Sequence, residues 1–123
     1  MYTITVPMSF ITELDSHLDA LILSYIITNY IRYKDTMDNF WFYTSYKSMA
    51  NTFSTTKLTV SKSVKRLQDK NLIHVRKQKH NKELPFAKQS NLYKPNFQEI
   101  DRLFPDVQPY IYNLSKYVRN DTP

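Results

Sequence analysis

The 123-residue sequence contains no cysteine and no glycine. Without cysteine, disulfides and thiolate metal ligands are excluded. Without glycine, a phosphate-binding P-loop is excluded, because its turn needs glycine at fixed positions. No run of about 20 consecutive apolar residues occurs, so no membrane-spanning helix is expected. The N-terminal sequence MYTITVPMSF also lacks the basic start and apolar core of a secretory signal, which predicts a protein that stays in the cytoplasm where it is made.

Residues of the kind that carry catalysis are few and scattered. His17, His74 and His80 share no ligand spacing, so no metal site is expected. No Ser/His/Asp arrangement is visible, and we expect no catalytic residues and no cofactor. An enzyme is therefore the least supported class. The acidic residues form no obvious pair and include Asp15, Asp19, Asp35, Asp38 and Asp101.

The length and composition predict one domain. With 41% hydrophobic residues, a chain of this size can bury most of its apolar surface around a single core. We expect one domain over residues 1–123, and the helices and strands predicted below make it α+β and mainly α.

Two helices joined by a tight turn, and then a strand, are predicted between residues 45 and 73. Ser45 is a good N-cap for a short helix through Asn51. The Ser/Thr cluster at residues 54–56 breaks the helical period and supplies a cap for a second helix, which runs to about Lys70.

The second helix divides into an apolar stripe and a basic face. Val60, Val64 and Leu67 recur at spacings of four and three, which predicts that they are buried together. Asn71 stands where a helix often ends in the left-handed region, and Asn is the common substitute for Gly there. The side chains expected to point away from the stripe are Lys57, Ser61, Lys62, Lys65 and Arg66.

Positive charge is concentrated in and after this helix. Residues 57–94 hold eleven Lys and Arg against Asp69 and Glu83, a net charge of +9, while the rest of the chain has six bases and nine acids. Charge gathered on one helix and the segment beside it is the electrostatic footprint of a phosphate-binding face. A basic face that is merely solvated is the alternative.

The helix pair has Ala50 in its first helix, a Ser/Thr-rich entry to the second at residues 55–59, Val60 followed by Ser61, and KRLQDKNLI at residues 65–73. In these features it resembles the helix-turn-helix and first wing strand of winged-helix DNA-binding domains. The resemblance implies a three-helix core, a small antiparallel sheet or wing, and extra C-terminal helices.

Further along, SNLYKPN at residues 90–96 resembles the strand that closes the wing in replication initiator and replisome-organiser proteins of plasmids and phages. The helix-turn-helix and wing would then cover residues 40–95, and residues 96–123 would be a C-terminal helical extension. The family prefers Gly at the positions of Ser54 and Asn71 and a polar residue at that of Leu58.

The resemblance implies that the second helix enters the major groove and that a basic hairpin lies on the backbone beside it. Ser45 is explained either as a helix cap or as part of a phosphate contact. Leu58 either touches a thymine methyl or belongs to the core. The expected DNA-binding residues are Ser45, Tyr46, Thr56, Lys57, Thr59, Ser61, Lys62, Lys65, Arg76, Lys77, Lys79, His80, Lys82 and Lys88.

Helices and strands are also predicted in the rest of the chain. Residues 17–34 are expected to form the central core helix and residues 40–43 a short aromatic strand. Residues 4–14, which include a proline, are expected to be an extended arm or edge strand followed by a turn. Residues 97–104 and 109–119 are expected to form two helices, which either complete the core against the first helix or, together with the first helix, pair two copies of the chain.

The function implied is sequence-specific binding of duplex DNA in the replication of a plasmid, phage or other mobile element, inside a bacterial cell or phage-infected host. Replication proteins are expected partners, and no membrane is involved. A transcriptional regulator is the close alternative. A third reading is a module that binds an acidic protein or single-stranded nucleic acid, with bases stacked on aromatic rings at Tyr43, Tyr46, Phe86 and Tyr93.

Overall fold

A computed structural model describes residues 4–34, 41–77 and 90–120, which form a mainly helical fold with a small antiparallel sheet. The predicted α+β, mainly α class is therefore confirmed. In chain order the elements are α1 (Met8–Glu13), α2 (His17–Tyr33), β1 (Phe42–Ser45), α3 (Tyr46–Thr52), α4 (Lys57–Asp69), β2 (Ile73–Lys77), β3 (Ser90–Pro95), α5 (Phe97–Leu103), a 3-10 turn (Pro105–Val107) and α6 (Gln108–Asn120).

Helix α2 is the centre of the core, as its wide apolar face predicts. It begins at a Ser16 cap, whose side-chain oxygen accepts from the Asp19 backbone N–H. It packs against α1, α4, α6, β1 and β3. Burial on all these sides requires apolar residues around most of the helix, and those fully buried include Ala20, Ile22, Leu23, Ile26 and Ile27.

The expectation of an extended arm or strand over residues 4–14 is wrong, because α1 occupies most of that segment. Pro7 stands at the N-cap in an extended conformation, where its missing N–H costs no helical hydrogen bond, and its carbonyl accepts from Phe10 N–H. The Phe10 ring is completely buried and meets Phe104 edge to face at 5.0 Å between centroids. This long-range contact favours the helical turn and leaves no trace in the local sequence.

The sheet has the strand order β1-β3-β2, with both pairs antiparallel. Its inner face packs on α2 and includes Phe42 and Tyr93, which are register partners. The aromatic strand expected over residues 40–43 continues beyond its expected end, because pairing with β3 reaches Ser45. Its expected start at residue 40 lies outside the described residues.

The C-terminal helices complete the core. Asn96 caps α5, and α6 packs along α2. The Tyr110 hydroxyl donates a 2.7 Å hydrogen bond to the Thr5 backbone oxygen, so α6 also holds the segment before α1. The expectation that these helices pack on the first long helix is confirmed, while dimerisation stays a prediction.

Candidate nucleic-acid interface

Helix α3 and the turn after it follow from a few local hydrogen bonds. The Ser45 side chain accepts from Ser48 N–H at 3.0 Å, so it caps the helix as predicted. The chain then leaves α3 at Ser54, whose φ of 53° lies in the left-handed region, and Thr55 N–H reaches back to Ala50 oxygen at 2.9 Å. This is a Schellman ending made without glycine, and it sets the sharp turn into α4.

Helix α4 has its own pair of caps. The Thr56 side chain accepts from Thr59 N–H at 3.2 Å, and the two hydroxyls lie 2.8 Å apart. At the other end Asn71 has a φ of 62°, and Leu72 N–H bonds to Leu67 oxygen at 3.1 Å. The predicted left-handed Asn is confirmed, and α4 passes directly into β2.

The two faces of α4 separate as its spacing predicts. Val60, Val64 and Leu67 are buried against the core. Asp69, in the last turn, is the one acidic residue of the helix. The residues on the opposite side are neighbours at helical spacing, and we call this surface the α4 outer face. It consists of Lys57, Leu58, Ser61, Lys62 and Lys65. All of them are exposed except Ser61, which is half-buried.

Leu58 is 65% exposed, so the reading that places it in the core is wrong. It lies between Lys57 and Lys62 on the α4 outer face, well away from the buried stripe. An apolar side chain therefore lies among three lysines. Contact with an apolar group of a partner would remove its surface from water, which is favourable.

Arg66 departs from the other bases because its guanidinium turns to Asp19 of α2. Its Nε and Nη2 donate to the two Asp19 carboxylate oxygens at 2.9 and 2.8 Å. The hydroxyls of Ser63 and Ser16 donate to the same carboxylate. Asp19 is completely buried, and the pair ties α4 to the core helix at a set rotation.

Burial alone would raise the pKa of Asp19, but hydrogen bonds from Arg66, Ser63 and Ser16 outweigh it and bring the pKa below its ordinary value. Sequence reasoning missed this contact. Asp19 follows a Ser cap in the first turn of α2, a position that local helix capping already explains. Its partner lies 47 residues away in the chain.

The aromatic residues proposed for base stacking differ in accessibility. Tyr43 is 63% exposed, whereas Tyr93 is completely buried on the central strand and is therefore wrong as a stacking residue. Burial raises the pKa of Tyr93, whose hydroxyl lies 3.4 Å from Asn91 Nδ2. Tyr46 is half-buried against the core, and Phe86 lies outside the described residues.

The predicted wing residues are described only in part. Arg76 and Lys77 are exposed on β2, beyond the C-terminal end of α4. Lys79, His80, Lys82 and Lys88 lie outside the described residues. The structure therefore brings together the α4 outer face, the Thr56 cap with Thr59 at its start and a basic strand at its end.

Neither a metal site nor a related protein gives a lead to the function. Within residues 4–34, 41–77 and 90–120, no three His, Asp or Glu side chains gather as metal ligands, and no helix has the length and hydrophobicity that a bilayer crossing demands. Comparison of the chain with models of known protein families, with curated proteins and with solved structures found no match. What the chain does must therefore be inferred from its own residues.

Proposed function

We propose that the protein is a winged-helix protein that binds duplex DNA, with α4 as its recognition helix and the β2–β3 pair as the base of its wing. The observation that carries the proposal is the composition of the α4 outer face. Three lysines lie on one exposed strip of a helix whose other side is packed into the core. A helix held this firmly presents its cations in a set geometry, as insertion into a major groove requires.

The surroundings of α4 support the same proposal. The fourth base, Arg66, is neutralised by a buried carboxylate, so it orients the helix and does not compete for phosphates. The hydroxyls of Thr56 and Thr59 are exposed beside Lys57, and because one of them donates to the other, one proton of the pair is left to donate to a phosphate or base oxygen. Exposed Arg76 and Lys77 extend the positive charge onto the sheet.

A role in replication of a plasmid, phage or other mobile element is the further part of the proposal. It is supported by the likeness of residues 90–96 to the wing-closing strand of replication initiators and replisome organisers. The neighbouring genes test this part. A primase or helicase-loader gene beside this one supports replication, while a divergent promoter bound by the protein contradicts it in favour of regulation.

Duplex binding is tested by replacing two lysines of the α4 outer face, Lys62→Ala with Lys65→Ala. We expect weaker binding and a shallower dependence on salt, by about 1 in the log–log slope for each lysine–phosphate pair that the substitutions remove. A control with the same change in charge is Lys34→Ala with Arg102→Ala, at the end of α2 and on α5. Fluorescence anisotropy of a labelled random duplex, between low and physiological salt, measures both quantities.

If the α4 variant binds duplex DNA as tightly as the control variant, α4 is not the recognition helix. If the unaltered protein has no duplex affinity even at low salt, the proposed function itself fails.

A further inference from the structure

The sheet has a second face that points away from the core. Paired residues of antiparallel strands share a face, and the pairs Tyr43–Leu92 and Arg76–Leu92 place these three side chains in one row. The pair His74–Lys94 forms the next row. Tyr43, His74 and Arg76 are exposed, whereas Phe42, Thr44 and Ile73, which lie next to them in the strands, are buried.

Trp41 extends this outer sheet face just before β1 begins. The Lys94 ammonium lies 6.0 Å from the centre of its ring, a cation–π distance. Beside them runs a groove of about 790 Å³, whose lining includes Trp41, His74, Arg76, Lys94 and Phe97. A groove of this volume is large enough to accept a nucleotide-sized group.

The chemistry of the outer sheet face is aromatic and basic, without negative charge. None of the three strands contains an Asp or a Glu, and no Asp or Glu of the described residues lines the groove. The rings of Trp41 and Tyr43, which lie beside the cations of β2 and β3, suit a ligand that has both flat apolar surfaces and regularly spaced anions. An unpaired nucleic-acid strand has this chemistry, because its bases are free to stack while its phosphates remain charged. A duplex offers no free base faces to Trp41 or Tyr43.

We propose that the outer sheet face binds an unpaired nucleic-acid strand. Bases stack on Trp41 and Tyr43, and the side chains of His74, Arg76 and Lys94 contact the phosphates. This site goes beyond the proposed duplex binding and does not depend on it.

The new site lies apart from the start of the α4 outer face. The groove meets α4 only at its C-terminal end, where Gln68 and Asn71 form part of the wall. Helix α4 has 13 residues, so that end lies roughly 20 Å along the helix axis from its first turn. A duplex at the start of α4 and a strand on the sheet therefore contact different parts of the molecule, with Arg76 the one residue that both proposals use.

The test uses the single tryptophan of the chain, Trp41, as its reporter. We expect oligo(dT) of about ten nucleotides to quench its fluorescence in a saturable manner, since stacking brings a base against the ring. Anisotropy of a labelled oligonucleotide gives the affinity independently. In the variant Tyr43→Ser with Lys94→Gln the affinity should fall at least about tenfold. Tyr112→Ser is the matched control, because Tyr112 is 69% exposed on α6 and should leave affinity unchanged.

Two more ligands distinguish RNA from DNA and base stacking from simple charge attraction. Oligo(U) is compared with oligo(dT) to test whether the natural strand is RNA or DNA. The one that binds more tightly identifies the type of strand, and either result is compatible with the sheet site. Polyglutamate that quenches Trp41 as strongly as oligo(dT) would show attraction by charge alone and overturn the stacking site.

The α4 double variant distinguishes this inference from the proposed function. We expect it to lose duplex affinity and keep affinity for oligo(dT). If instead oligo(dT) binding is lost with the α4 lysines and survives the Tyr43 and Lys94 changes, the strand binds on α4 and the sheet site is wrong. If duplex binding is absent while the sheet variant still loses oligo(dT), the proposed function fails and the sheet site stands.

Discussion

At the scale of single residues, the most unusual feature is that both helix endings of the α3–α4 pair are made without glycine. Ser54 and Asn71 take the left-handed conformation, which brings Cβ close to the following carbonyl in most residue types. Asn tolerates this conformation because its short polar side chain bonds locally. Ser gains less, so Ser54 carries the larger conformational cost.

Replacement of Ser54 by glycine should therefore stabilise the protein. We expect Ser54→Gly to raise the free energy of unfolding by about 1 kcal/mol, because the Cβ clash disappears and outweighs the added freedom of the unfolded chain. Urea unfolding followed by circular dichroism measures the change. The control is Ser61→Gly inside α4, which should lower the free energy of unfolding by about 0.5 kcal/mol. A loss of stability in both variants would contradict the assignment of strain to Ser54.

The buried Asp19 carboxylate predicts a specific dependence of stability on pH. Its pKa in the folded protein lies below the ordinary value of 3.8, so the unfolded chain takes up the proton first as the pH falls. The stabilisation is fully present above the unfolded-state pKa and is lost as the pH falls through the folded-state pKa.

The variant Asp19→Asn isolates this contribution. At pH 7 we expect it to lower the free energy of unfolding by about 2 kcal/mol, less than for an enclosed pair because Arg66 reaches solvent. The difference from the unaltered protein should shrink as the pH is lowered from about 5 to 3. Urea unfolding at each pH measures it, and a difference that stays constant over this range would rule out titration of Asp19 as the cause.

At the scale of elements, the features that can be predicted from the sequence are those that depend on residue spacing within one helix. The buried stripe of α4, its basic outer face, its end at Asn71 and the central place of α2 all follow from spacings within one helix. Helix α1 could not be predicted in this way, because it depends on Phe10 reaching Phe104. The same limit applies to Tyr93, since an alternating strand pattern does not tell which side is the core.

The candidate sites show the same division. The α4 lysines could be chosen from sequence, since they occupy one helical face. The Arg66–Asp19 pair and the proximity of Trp41 to Lys94 could not, because each joins elements that are distant in the chain.

The assignment of the two faces of α4 is tested by moving one negative charge by one position. Val64→Asp places a carboxylate at a site that is 1% exposed, with no cation provided for it, and should prevent stable folding. Lys65→Asp, on the outer face, should leave the protein folded. Thermal unfolding and the soluble yield measure both. A folded Val64→Asp protein would show that this side of α4 is not packed in the core.

At the scale of the whole molecule, the first and last described segments are joined on α2. Phe10 packs between the rings of Phe104 and Tyr110, and the Tyr110 hydroxyl holds the backbone at Thr5. Burial raises the pKa of Tyr110, so this hydroxyl keeps its proton and remains a donor at neutral pH. The C-terminal helices are in this way part of the core.

Removal of that single hydroxyl should weaken the connection measurably. We expect Tyr110→Phe to lower the free energy of unfolding by about 1 kcal/mol, the usual contribution of one hydrogen bond. The control is Tyr112→Phe, which alters an exposed tyrosine of the same helix and should change nothing. Thermal and urea unfolding of the two variants provide the comparison. Equal stability of the two variants would mean that the hydrogen bond from the Tyr110 hydroxyl to Thr5 does not stabilise the fold.

The strand order of the sheet also governs when the protein is able to fold. The middle strand, β3, is the last of the three along the chain, and among the described residues β1 and β2 each pair with it alone. During synthesis both outer strands leave the ribosome before this partner, so neither pairing of the sheet is able to form until β3 has emerged. Helices α3 and α4 close their hydrogen bonds locally and need not wait. The hydrogen bonds of the helical pair are therefore local in the chain, whereas those of the sheet depend on its most distant strand.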